Sequence, residues 1–100
     1  MIQTTEDNRT IRIYLSGNLN RNNILDIKND ILQKINPRIR TVEFHFKNVE
    51  KTDAPAMAII VSVIKHLLTK KIVSKAIGLR GDCMKLATIL DLHTMAQVEA

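Results

Sequence analysis

Two short runs of strict apolar–polar alternation, each followed by a helical pattern, constrain the fold of this chain most. Ile11, Ile13 and Leu15 share one parity, with Arg12 and Tyr14 between them. Val42, Phe44 and Phe46 repeat the pattern with Thr41, Glu43 and His45. A period of two marks a strand with one buried face. Ser16-Gly17-Asn18 predicts a break after the first strand, and Lys47 to Asp53 a polar connection after the second. Between them, Ile24, Ile27, Ile31 and Ile35 recur at spacings of three, four and four, flanked by Leu25 and Leu32. That predicts an amphipathic helix entered through the cap-rich Asn20–Asn23 and ended before Pro37.

Pro55 opens a second helix that runs to about Lys70. From Met57 to Ile64 it is apolar nearly all round, so it is expected to be well buried. Ser62, Lys65, His66, Thr69 and Lys70 give it a polar edge. A third strand is read near Lys75–Arg80, then a break at Gly81-Asp82, with Asp82 as N-cap of a short helix through Leu90. Ile2–Thr5 reads as a first edge strand. Leu92–Val98 reads as either a short last strand or an irregular tail. Strands alternating with single helices imply parallel strands joined by right-handed crossovers. Alternation within the strands implies that helices cover only one sheet face. The expectation is a single α/β domain over residues 1–100, with a mixed, mostly parallel sheet of four to five strands.

Aromatic residues make up 3% of the chain and Trp is absent, so the core must be aliphatic. Fifteen basic and ten acidic residues give a net charge of +5. Along the sequence the basic residues are spread out, and the longest basic run is Lys70-Lys71. A nucleic-acid face needs a clustered stripe of Lys and Arg, so no nucleic-acid partner is expected. The longest apolar stretch, Ala54 to Val61, is too short to span a bilayer, so no membrane insertion is expected. The first residues, Met-Ile-Gln-Thr-Thr-Glu-Asp, do not read as a signal peptide. The one cysteine, Cys83, cannot form an internal disulfide, and a reducing cytoplasm is the expected compartment.

Groups that carry chemistry are sparse. His45, His66 and His93 lie far apart, without partners at metal-ligand spacing, so no metal and no cofactor is expected. Cys83 lacks a neighbouring base and reads as a small buried apolar residue. Gly78 and Gly81 do not have the spacing of a dinucleotide fingerprint or a P-loop. Asp26 and Asp30 lie on a solvated helix face near Lys34. The most informative segment is Lys51-Thr52-Asp53-Ala54-Pro55-Ala56-Met57, where a polar connection delivers Thr-Asp to the start of a buried helix. Capping by Thr52 or Asp53 is the plain reading. A rigidly held loop at a strand end is also a common place for binding.

These segments resemble the STAS family, the domain of sulfate transporters and anti-sigma factor antagonists. Leu15-Ser16-Gly17-Asn18-Leu19-Asn20 is similar to the family's early Leu-(Ser/Thr)-Gly-x-Leu-Asp signature. Thr41 to Val49 resembles its central strand. Thr52-Asp53-Ala54-Pro55-Ala56-Met57-Ala58 resembles the Asp-Ser/Thr-x-Gly-Leu loop that opens the second helix, and Ile77 to Leu92 the final strand and helix. The resemblance implies a non-enzymatic interaction domain whose loop Ser or Thr, in many members, is phosphorylated by a partner kinase. Asp53 matches the family Asp, but Ala54 stands at the acceptor position and Asn20 where the signature has Asp. No phosphorylation is therefore expected at Ala54. The implied partner is a protein, either an anti-sigma factor kinase or the ATPase of an Mla-type phospholipid ABC transporter. The expected contact residues are Asn20, Arg21, Lys51, Thr52, Asp53, Ala54 and Met57, with Met57 as an adaptable apolar contact if it is exposed.

Overall fold

The computed structural model describes residues 2–100. In chain order it contains β1 (Ile2–Asp7), β2 (Thr10–Leu19), α1 (Ile24–Lys34), β3 (Thr41–Thr52), α2 (Ala54–Thr69), β4 (Val73–Ile77), α3 (Gly81–Ile89) and β5 (Gln97–Glu99). A single 3-10 turn, Leu92–Thr94, precedes β5. The five strands form one sheet in the order β1-β2-β3-β4-β5. β1 is antiparallel to β2, and every other pair is parallel. The hairpin from β1 to β2 turns through Asn8 and Arg9, both left-handed (φ 50° and 66°), as a tight two-residue turn requires.

The predicted parity sets the layers. Ile11, Ile13 and Leu15 of β2 and Val42, Phe44 and Phe46 of β3 are buried together with Ile24, Ile27 and Ile31 of α1. Met57, Ile60, Ile64 and Leu67 of α2 complete that layer. The opposite parity forms an open sheet face. There Tyr14 stacks on His45 with ring centroids 4.6 Å apart. Glu43 Oε1 lies 2.9 Å from His45 Nε2 and 3.4 Å from Arg12 Nε. The fold is thus a mixed, mostly parallel α/β sheet with helices on one face, as the sequence predicts.

The element boundaries differ at several points. β2 continues past the predicted break to Leu19, and β3 continues through the predicted connection to Thr52. The ladder survives because bulges between Tyr14 and Ser16 and between Gly17 and Asn18 absorb the loss of alternation. Gly17 sits there with φ 74°, a conformation glycine adopts without strain. β4 begins at Val73 and ends at Ile77, earlier than predicted, because Gly78 turns the chain (φ 77°). A Cβ on Gly78 would stand 3.2 Å from the Lys47 backbone nitrogen, so this turn packs tightly against β3. α3 starts at Gly81 with Arg80 at its cap position, so Asp82 lies in the first turn and is not the N-cap. Its negative charge there still complements the positive end of the helix dipole. The C-terminal segment is the 3-10 turn and then a strand, not an irregular tail.

Candidate functional site

The two strand extensions build the site. Because β2 and β3 both run past their alternating cores, Leu19 pairs with Thr52 at the C-terminal end of the parallel strands. The Asp53 N–H then donates to the Leu19 carbonyl at 3.3 Å. Asp53 is the N-cap of α2, and its Oδ1 accepts from the Ala56 N–H at 2.9 Å. Its second oxygen, Oδ2, accepts from the Arg21 N–H at 3.1 Å, across 32 residues of sequence. One carboxylate therefore fastens the loop after β2 to the first turn of α2. These donors hold the Asp53 carboxyl below its usual range, led by the Ala56 N–H and helped by the Arg21 N–H and the Arg21 charge. Partial desolvation opposes them.

The loop after β2 is also held from within. Asn20 Oδ1 accepts from the Asn22 N–H at 2.9 Å, and Asn23 Oδ1 accepts from the Asn20 N–H at 3.0 Å. Asn23 Nδ2 donates to the Asn18 carbonyl at 2.7 Å. Asn23 is not among the expected site residues. Its signal is the run Asn20–Asn23, which the sequence presents only as helix-capping material. Asn side chains in such a run mimic backbone and fix loops.

Six of the seven expected contact residues come together at this end. Arg21, Lys51 and Ala54 are exposed, while Asn20, Thr52 and Asp53 are half-buried. Met57 is the exception and corrects the expectation of an adaptable surface contact, because it is fully buried. It lies on the inward side of α2, which that helix's nearly all-round apolar start packs into the core. Ala54 is the first helical residue and carries no hydroxyl at the helix entrance. Thr52 Oγ1 lies 3.5 Å from the Asp53 carbonyl. Ser62 donates to the Ile59 carbonyl at 2.7 Å and sits two turns further along α2, about 12 Å from the helix entrance.

Beside the site, a cleft of about 230 Å³ is lined by Val49, Lys51, Thr52, Arg80, Asp82 and Cys83, among others. Cys83 is buried. Burial pushes its thiol up, Asp82 adds to that, and Arg80 opposes it. The thiol thus stays protonated at neutral pH, which is the wrong state for a nucleophile. His45, His66 and His93 occupy the open sheet face, the outer side of α2 and the 3-10 turn. Among the described residues, no group of three or more His, Cys, Asp or Glu is placed to hold a metal ion. Among them also, no helix is long and apolar enough to cross a membrane.

A mixed five-stranded sheet with all helices on one face, and a capped second helix opening at the strand ends, is the STAS fold of anti-sigma factor antagonists. The anti-sigma factor antagonist SpoIIAA in its unphosphorylated form superposes with TM-score 0.69 at 14% identity, covering 100% of this chain and 87% of that one. The phosphorylated form of SpoIIAA from Bacillus gives 0.75 at 15% identity, with 100% and 92% covered. The Thermotoga maritima protein TM1081, assigned to the same class of antagonist, gives 0.84 at 11% identity, with 99% and 86% covered. No family model matches the sequence, and no curated protein does. At these identities the likeness is one of fold.

Proposed function

We propose that this chain is a single, non-enzymatic protein-binding domain of the anti-sigma factor antagonist kind, acting in the cytoplasm on a kinase-type anti-sigma partner. The contact surface is the end of the sheet formed by Asn20, Arg21, Lys51, Thr52, Asp53 and Ala54. The observation that carries this reading is the Asp53 carboxylate, which accepts from both the Arg21 and the Ala56 N–H and so presents two loops as one rigid surface. SpoIIAA has been solved in phosphorylated and unphosphorylated forms. Here the position after the loop Asp is Ala54, so partner exchange proceeds without phosphate at that residue.

Titration against the anti-sigma kinase of the same cell tests the reading, with Asp53→Lys and Lys51→Glu measured for both affinity and melting temperature. A binding surface predicts an affinity loss on the order of tenfold or more in variants that still fold. A purely capping Asp53 predicts a small drop in melting temperature with unchanged affinity of the folded fraction. Full-strength binding by both variants would move the contact surface elsewhere. Tight binding to a phospholipid-transporter ATPase, and none to the kinase, would replace this reading with the transporter one.

A further inference from the structure

The positive charge that is scattered along the sequence is gathered by the fold. At the N-terminal ends of the parallel strands, the Arg40 and Thr41 N–H groups both donate to the Arg9 carbonyl, at 2.8 and 3.2 Å. The Val73 N–H donates to the Arg40 carbonyl at 3.0 Å. Three turns are thereby stitched side by side: Asn8-Arg9, Ile35 to Arg40, and Lys70 to Ile72. They bring Arg9, Arg38, Arg40, Lys70 and Lys71 to one end, with Lys34 at the last turn of α1. That is six of the fifteen basic residues. The acidic residues at this end are Glu6, Asp7, Asp91 and, one turn before Lys34 on α1, Asp30. Glu6 is engaged by Arg38 at 3.8 Å and by Asn36 at 3.0 Å, and Asp7 by Arg12 at 3.4 Å. Lys34 and Lys70 also lie at helix C-termini, where the dipole favours cations. Arg38 pairs with Glu6, and Arg40 Nη1 donates to the Pro37 and Ile39 carbonyls at 2.9 and 3.0 Å, while the Arg9 side chain has no such partner among the described residues. Arg40 and Lys70 flank a cleft of about 430 Å³ floored by Ile35, Pro37, Ile39 and Ile72. Leu68 and Val73, each 44% exposed, add aliphatic surface nearby.

We propose that this basic end is a docking surface for an anionic lipid bilayer. Long, flexible cations around aliphatic patches suit a fluid anionic surface, to which each Lys or Arg adds attraction without fixed geometry. The end offers no Phe, Tyr or Trp side chain, since Phe44 and Phe46 are buried and Tyr14 lies on the open sheet face. Stacking of single-stranded bases and the aromatic anchors usual in protein interfaces are therefore missing. Docking here leaves the Asp53 end, at the opposite ends of the strands, free for its partner.

Co-sedimentation with vesicles tests the proposal. One set holds equal parts phosphatidylglycerol and phosphatidylcholine, the other phosphatidylcholine alone, both at about 0.1 M salt. Binding is expected to the anionic vesicles only, and to weaken as salt rises. Two charge-reversal pairs, Lys70→Glu with Lys71→Glu and Arg9→Glu with Arg40→Glu, are each expected to lower binding by at least about tenfold, from roughly fivefold per cation. The second pair guards against the first failing to fold, and the reverse. Lys47→Glu with Lys85→Glu changes net charge equally elsewhere and is expected to lower binding by less than about threefold. Equal losses in all three pairs, or equal binding to both vesicle types, would overturn the proposal. So would tighter, pole-dependent binding to a single-stranded oligonucleotide or to polyglutamate at the same salt.

Discussion

The two ends of the sheet are built on different physics. At the C-terminal ends of β2 and β3, one carboxylate makes two directed hydrogen bonds and two asparagine side chains, Asn20 and Asn23, lock the adjoining loop. Lys47, Lys51, Arg21 and Arg80 are largely offset there by Glu50, Asp53 and Asp82. At the N-terminal ends the turns are joined by backbone bonds, and six cations project with few acidic neighbours. Directed bonds in a nearly neutral setting favour recognition of one shaped partner. Excess like charge favours an extended anionic surface. The shared core lets the two ends differ without either dictating the other.

The comparison assumes that both ends rest on one common core, and the largest expected effects test that. Phe44→Ala and Ile60→Ala each remove a side chain with no exposure, from β3 and α2. Losses of about 3–5 and 2–5 kcal/mol are expected. In a domain of this size about 1 kcal/mol moves the melting temperature by about 4–8 °C, so each variant should melt at least about eight degrees lower by thermal scanning. Parent-like melting in both would show that β3 and α2 are not packed in this register.

The next prediction sharpens the directed end. The depressed Asp53 pKa means that the ionised carboxylate stabilises the fold above its unfolded pKa of about 3.9, and that this is lost as pH falls through the lower folded value. Asp53→Asn is therefore expected to melt a few degrees below the parent at neutral pH. The two curves should converge well below pH 4. A gap that stays constant into strong acid would mean that the Asp53 charge contributes nothing.

These contrasts are unequally legible in the sequence. The alternation at Ile11–Leu15 and Thr41–Phe46 and the isoleucine stripe of α1 carry the layers, because burial of one face imposes a period. The extensions of β2 and β3 are invisible, because bulges and Gly17 keep the backbone ladder while breaking the side-chain period. Asp53 can be read as a cap from its place before Pro55. Its bond to the Arg21 N–H cannot, because that contact spans 32 residues. Met57 is misplaced because a helix that is apolar on nearly every side gives no phase from which to tell its inner from its outer positions. The basic end is hidden for a related reason. Arg9, Arg40 and Lys70 are neighbours only through turns that the sheet aligns.

A smaller effect concerns the core that joins the two ends. The Ser74 hydroxyl on β4 is buried and has no hydrogen-bond partner among the described residues. Ser74→Ala removes a buried, unpaired polar group and is expected to stabilise the domain by about 1 kcal/mol, read as a rise in melting temperature. A clear loss of stability would show that the hydroxyl is satisfied in solution.

The central claim is that the Asp53 end binds its partner without a phosphate switch, because Ala54 fills the acceptor position. The most direct measurement is incubation of the parent and Ala54→Ser with the anti-sigma kinase of the same cell and ATP, followed by mass spectrometry of residues 50–57 and a partner-binding assay. The account predicts no stoichiometric phosphate on the parent. It predicts one phosphate on the introduced hydroxyl of the variant, with partner affinity falling after modification. A parent phosphorylated at Thr52, with a resulting change in partner affinity, would contradict it.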